Sequence, residues 1–191
     1  MKKFLPLMTL LGMLLLVVAG TVGVVMTYPQ KEVKVSGEYN LSGEQVRQLK
    51  QQVLLFMENR KYREADQLLK RIINALPGNN KAVLMRGKVC FLRGETEQAE
   101  RIFRQVVTSA PENPVALNNL GVILVTKGLY DAGTRTLLAA EKLSGGAGFI
   151  LKNLCQTFLL SGKLTEAQHC WELARQNPAV TPEEALVLYS H

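Results

Sequence analysis

Residues 116–133 read ALNNLGVILVTKGLYDAG, an apolar run closed by the break Lys127-Gly128-Leu129 and followed by a buried-type small residue, Gly133. Leu117, Leu120, Gly121 and Leu124 recur in it at i, i+3, i+4 and i+7, which is one stripe of an α-helix. The stripe returns upstream as Val83, Gly87 and Cys90 and downstream as Leu151, Leu154, Cys155 and Phe158. The step is 34 residues, and it is kept by Ala65, Ala99, Gly133 and Ala167, by Gly94, Gly128 and Gly162, by Pro77 and Pro111, and by Gly87, Gly121 and Cys155. Independent series in one phase define a repeated unit. Each unit opens with an amphipathic helix, breaks at glycine, and continues into a second helix carrying Ala99, Phe103 and Val106, or Ala167, Trp171 and Ala174. The small residue that starts the second helix lets two backbones approach. Pro77 and Pro111 end their pairs, because proline lacks the N–H and clashes with the preceding turn.

With Leu120-Gly121, Gly128-Leu129-Tyr130, Pro111 and their 34-residue echoes, the chain resembles the tetratricopeptide repeat family, a solenoid of helix-turn-helix units. The resemblance covers roughly residues 46–181 and implies an all-α fold with repeats near 46–79, 80–113, 114–147 and 148–181. Gln52 and Arg86 stand where the family usually has leucine, Gly133 replaces its small alanine, and Gly145 replaces the closing proline. The junction Ser144-Gly145-Gly146-Ala147-Gly148 is therefore expected to be the loosest.

The array has marked ends. Ser42 with Gln45 reads as a capping box, so the repeat domain is placed at 42–191. Thr181-Pro182-Glu183-Glu184 combines a cap, proline at a first helical position and a capping glutamate, which predicts a helix over 182–190 closing the exposed end of the last pair.

No charged residue occurs from Phe4 to Gln30. A helix of about 20 apolar residues spans a bilayer core, and Leu5 to Thr27 provides that length behind Lys2 and Lys3. Residues 1–27 are accordingly read as an uncleaved signal-anchor helix. Val18-Ala19-Gly20 offers a small-residue cleavage site, but the apolar run continues through Val22, Val24, Val25 and Met26, beyond an ordinary signal core. The first cysteine is Cys90, which argues against a lipid-modified signal. Basic residues ahead of one span predict a cytoplasmic N-terminus and repeats on the outer, periplasmic side of a bacterial cytoplasmic membrane. Residues 28–41, with Lys31 and Lys34, read as a polar spacer.

The chain carries 23 Lys and Arg against 16 Asp and Glu, a net charge of +7. Its basic residues are interleaved with acids, as in Arg60-Lys61-Tyr62-Arg63-Glu64, without an aromatic and basic stacking series, so nucleic acid is not expected as a partner. Cys90, Cys155 and Cys170 fall on packing stripes and read as buried thiols that act as small hydrophobes. A Cys155–Cys170 disulfide across one helix pair is also open to an exported protein. His169 and His191 are the only histidines, and neither stands at a metal-ligand spacing. Gly145-Gly146-Ala147-Gly148 lacks the Lys-Ser/Thr of a phosphate loop. No catalytic residue, metal site or cofactor is expected, and the chain is not read as an enzyme.

A second stripe on each first helix carries Arg47, Lys50, Leu54 and Met57; Lys81, Leu84, Lys88 and Phe91; Val115, Asn118, Val122 and Val125; and Phe149, Lys152, Gln156 and Leu159. The resemblance implies that these positions line a concave peptide groove. Lysines among hydrophobes suit a partner segment with apolar anchors and acidic residues or a free carboxylate. The competing reading is that Leu84, Phe91, Val122 and Val125 only pack on neighbouring helices. The family's carboxylate clamp is not met: Lys50 and Asn119 are fragments of it, and Leu54, Met85 and Val115 break it. Asn119 and Asn153 are candidates for holding a peptide backbone, since an amide both donates and accepts. The expected function is a membrane-tethered scaffold that recruits a protein partner during assembly of a cell-envelope complex of the secretion, pilus or cytochrome type. A structural subunit that self-associates through the repeat surface is the alternative.

Overall fold

The computed structural model describes residues 41–177 and 181–188. The expected anchor over Leu5 to Thr27, and the spacer up to residue 40, lie outside those residues. None of the helices described is long and apolar enough to cross a membrane. Ser42 builds the predicted capping box: its Oγ accepts from Gln45 N–H at 3.2 Å, and its own N–H donates to Gln45 Oε1 at 2.8 Å. From there α1 runs Gly43–Glu58, α2 Tyr62–Ala75, α3 Asn80–Leu92, α4 Thr96–Ser109, α5 Pro114–Thr126, α6 Tyr130–Ser144, α7 Gly148–Leu160 and α8 Leu164–Gln176. The described residues thus form an all-α solenoid of four helix pairs, in which consecutive helices pack along the chain and α5 also touches α7.

The repeat step reappears as local chemistry. Asn79 and Asn113 cap α3 and α5 by accepting from the N–H groups of Ala82 and Ala116, each at 3.1 Å. Ala147 takes that place before α7, and the junction is held instead by Ser144 Oγ accepting from Ala147 N–H and by left-handed Gly145 and Gly146. The turn within each pair also needs a left-handed residue, and Gly94, Gly128 and Gly162 have φ of 81°, 77° and 77°. In the first pair the same place is held by Arg60, with φ 56°. A side chain there costs about 1–2 kcal/mol. Arg60→Gly is therefore expected to stabilise the chain by about 1 kcal/mol, read as a rise in the urea midpoint.

Packing explains the small residues. Ala65, Ala99 and Ala167 are buried, and a Cβ built on Gly133 would meet Val125 Cγ2 at 2.5 Å and stand 3.2 Å from the carbonyl oxygen of Gly121, so α5 and α6 cross too closely for the family's alanine without a shift of Val125. On the first helices, a Cβ on Gly87 would overlap the Phe103 ring, and one on Gly121 would meet Leu137 Cγ at 2.7 Å. Trp171 occupies the place of Phe103 and Leu137 in the last pair but remains 37% exposed, and its neighbour Leu164 is 68% exposed. Trp171 is thus a correction to the expected core: among the described residues, no helix follows α8 to cover it.

Arg86, the departure from leucine, has a charged counterpart. Its Nε donates to Asp66 Oδ1 at 2.9 Å, while Lys70 lies 2.6 Å from Asp66 Oδ2. Burial pushes the Asp66 carboxyl up, but the hydrogen bonds from Lys70 and Arg86 more than offset this and hold it below the ordinary value. A depressed carboxylate stabilises the fold above its unfolded pKa of about 3.9 and loses that contribution as pH falls through the folded value. Asp66→Asn is expected to cost about 1–2 kcal/mol at neutral pH and progressively less as the pH falls through the folded value, measured as Tm against pH.

Cys155 and Cys170 form a disulfide between α7 and α8, with their Cα atoms 5.3 Å apart. Closing a 15-residue separation restricts the unfolded chain, and a loop of that length is worth about 3 kcal/mol. Unfolding with and without reductant should differ by about 2–3 kcal/mol, a difference absent in Cys155→Ala/Cys170→Ala. Cys90 is a buried free thiol whose pKa is raised, first by burial and then by the Asp66 carboxylate, so it behaves as packing rather than as a nucleophile.

Candidate functional site

The inner stripe is occupied by the chain's own C-terminal segment. Residues 181–188 form no helix: Ala185 N–H closes one turn onto the Pro182 carbonyl at 3.0 Å, and the backbone beyond it runs non-helically along the first helices. This corrects the capping helix expected at 182–190 over residues 182–188; residues 189–190 lie outside the described residues. A nine-residue helix is marginal alone, whereas here the backbone polar groups of the segment are taken up by asparagines.

Those asparagines come from α5 and α7. Asn119 Nδ2 donates to the Glu184 carbonyl at 2.7 Å, and Asn119 Oδ1 accepts from Leu186 N–H at 2.7 Å. Asn153, one repeat later, donates to the Leu186 carbonyl at 2.9 Å and accepts from Leu188 N–H at 2.7 Å. Asn118 sits between them: its Nδ2 donates to the Leu186 carbonyl and to Asn119 Oδ1, and its Oδ1 accepts from Asn153 Nδ2 at 2.7 Å. All three amides are fully buried and saturate one another as well as the segment. A buried amide without partners would be costly, so the geometry of the three is tightly constrained.

The side chains divide by position along the segment. Leu186, 3% exposed, joins the cluster containing Leu84, Val122 and the half-buried Phe91, and Leu188 packs beside Val125 and Leu151. Ala185, 1% exposed, sits against Phe149 and Ile150, with Val115 flanking. The acidic pair meets the lysines: Lys88 Nζ donates to the Glu183 carbonyl at 2.9 Å, and Lys81 Nζ lies 3.5 Å and 3.6 Å from the carboxylates of Glu183 and Glu184. Burial draws the Lys88 ammonium below the usual lysine pKa, with Glu184 and then Glu183 opposing it.

Of the residues expected in the groove, Lys81, Leu84, Lys88, Phe91, Asn118, Asn119, Val122, Val125, Phe149 and Asn153 come together around this segment. Leu54 packs instead in the core of the first pairs, and Lys50, Lys152 and Gln156 make no hydrogen bond or ion pair with the segment among the described residues. Burial of Leu84, Val122 and Val125 against neighbouring helices is also present, so groove and core share these side chains. Sequence reasoning missed the occupant. Its signal was the alternation of Leu186 and Leu188 about Val187, a period of two that is short enough to be read as helix.

Two tetratricopeptide repeat models match the chain, over residues 56–114 and 93–147. The chain is a tetratricopeptide repeat protein. Such proteins mediate protein–protein interaction and generally serve as non-enzymatic scaffolds. Human tetratricopeptide repeat protein 7B is 25% identical over 121 residues, covering 61% of this chain and 14% of its own length. Human tetratricopeptide repeat protein 7A is 22% identical over 128 residues, covering 67% of this chain and 15% of its own. The chain thus spans about one seventh of these curated relatives. Among solved structures, MamA from Desulfovibrio magneticus RS-1 superposes with a TM-score of 0.57 at 16% identity, over 69% of this chain and 74% of its own. YrrB, described as a TPR protein with an unusual peptide-binding site, gives 0.55 at 16% identity, over 69% of this chain and 68% of its own. At such identity these likenesses show the repeat fold alone.

Proposed function

We propose that this protein is a membrane-tethered scaffold whose concave groove holds a non-helical segment of a partner protein, serving recruitment or assembly of a cell-envelope complex. The observation that carries the groove reading is the paired use of Asn119 and Asn153, each accepting an N–H and donating to a carbonyl of the bound backbone. Main-chain capture of this kind supplies affinity, and pockets for selected side chains supply specificity. The peptide-binding site for which YrrB is described supports the same use of the fold. The tether rests on Leu5 to Thr27, and the outward orientation on Lys2 and Lys3.

Affinity capture from native membranes tests it, wild type beside Asn119→Leu/Asn153→Leu. A protein retained only by the wild type supports the groove, and identical captured sets overturn it. Release of the full chain from membranes by alkali would overturn the tether. A structural role has one observation of its own: α6, α7 and α8 leave a cavity of about 390 Å³ lined by Leu138, Leu154, Phe158 and Leu173, and α8 also exposes Leu164 and Trp171. Self-association that is abolished by Leu164→Glu/Trp171→Glu would favour that role.

A further inference from the structure

The segment now in the groove describes the ligand the groove accepts. We propose that the partner presents an extended segment of the pattern acidic-acidic-small-Leu-x-Leu, and that Glu183–Leu188 is a resident competitor for the same site. This rests on the scaffold reading above.

Register comes first. A step of one repeat, from Asn119 to Asn153, corresponds to a step of two residues along the segment, from the Glu184/Leu186 pair to the Leu186/Leu188 pair. Only a non-helical chain offers its carbonyl and N–H groups at that interval, so helical ligands are excluded. The amides touch backbone alone and are indifferent to side-chain identity. Selection falls to three features: an apolar pocket at Leu186 among Leu84 and Val122, continued at Leu188 by Val125; a tight place at Ala185 against Phe149 and Ile150; and the ammonium groups of Lys81 and Lys88 beside the acidic pair. A larger side chain at the Ala185 position would have to displace the buried cluster of Phe149 and Ile150, whereas loss of both acids would leave the two lysines without their counter-charge.

The bound segment fits imperfectly. Glu184 Oε2 is enclosed with the Lys81 ammonium 3.6 Å away, just beyond hydrogen-bond length, so a partner with better-placed carboxylates can displace it. Only residues 177–180 separate α8 from the segment, and a short tether gives an effective concentration on the order of millimolar. A segment whose intrinsic Kd is about 10 μM would then fill its own groove almost completely and weaken a competing partner about 100-fold.

The test uses the full-length chain in nanodiscs and a fluorescent synthetic peptide of the sequence of residues 181–188, read by anisotropy. In the protein, Leu186→Asp/Leu188→Asp vacates the groove. That variant is expected to bind the peptide at least about tenfold more tightly than wild type, and adding Asn119→Leu/Asn153→Leu should abolish binding. Peptides with both acids changed to lysine, or with the first leucine changed to aspartate, should bind at least tenfold more weakly. If the aspartate variant loses its helical circular dichroism, Glu183→Lys/Glu184→Lys, at the rim of the groove, provides the same release. Equal binding by wild type and a folded tail variant, or binding by neither, overturns the inference. A wild-type dimer that becomes monomeric in the tail variant also overturns it, because the segment then passes between copies. If Asn119- and Asn153-dependent capture persists while the peptide fails to bind, the scaffold reading stands and the ligand pattern falls; peptide binding without such capture reverses the two.

Discussion

Phe103→Ala is expected to lower the unfolding free energy by about 3–5 kcal/mol, because this ring is fully buried and fills the space that Gly87 leaves on α3. Truncation removes the ring from the central cluster of Leu84, Cys90, Ile102, Val106 and Ile123. The backbones of a helix pair are too constrained to collapse on the gap. The close approach gives the test a second arm. Gly87→Ala alone is expected to cost about 1–3 kcal/mol through overpacking, since its Cβ would overlap the ring. In the Phe103→Ala background that cost should nearly vanish. Urea unfolding of the four chains of this double-mutant cycle measures the coupling, and strictly additive costs would contradict the packing described here.

Asn119→Leu/Asn153→Leu is expected to release the C-terminal segment altogether. Four direct hydrogen bonds to that segment are lost, and Asn118 loses its two amide partners. At about 1 kcal/mol net for each bond, with more for groups left enclosed without partners, the docked state should weaken by about 4 kcal/mol or more. Amide hydrogen exchange reads this directly: the N–H groups of Leu186 and Leu188 should lose protection while those within α5 and α7 keep theirs. Single variants separate the halves, with Asn119→Leu freeing Leu186 N–H and Asn153→Leu freeing Leu188 N–H. Protection that survives in the double variant would mean that the leucine pockets, rather than the asparagines, hold the segment.

Much of this molecule was legible before any coordinates. Periodicity places apolar side chains on one face of a helix regardless of what lies opposite, so the 34-residue step gave the helix pairs, and the second helices indeed begin at Tyr62, Thr96, Tyr130 and Leu164. The capping box at Ser42 and the glycine turns are local chemistry, readable because their partners lie three or four residues away. Asn119 and Asn153 stood out for the same reason, one repeat apart on a helix face. Left-handed Arg60 was hidden, since arginine carries no signal for positive φ. The ion pair of Arg86 with Asp66 joins neighbouring helix pairs and could not be seen in either segment alone.

The sequence by itself determined the class of fold, the spacing of its repeats and the face on which a backbone could be held, because each depends on short-range periodicity. Only the tertiary structure decided the fate of residues 181–188. Locally they carry a helix-start signal, yet a docked non-helical segment satisfies its carbonyl and N–H groups on three buried amides and buries Ala185 and Leu186, contacts that exist only once α3, α5 and α7 stand side by side. Long-range burial outweighed a weak local preference.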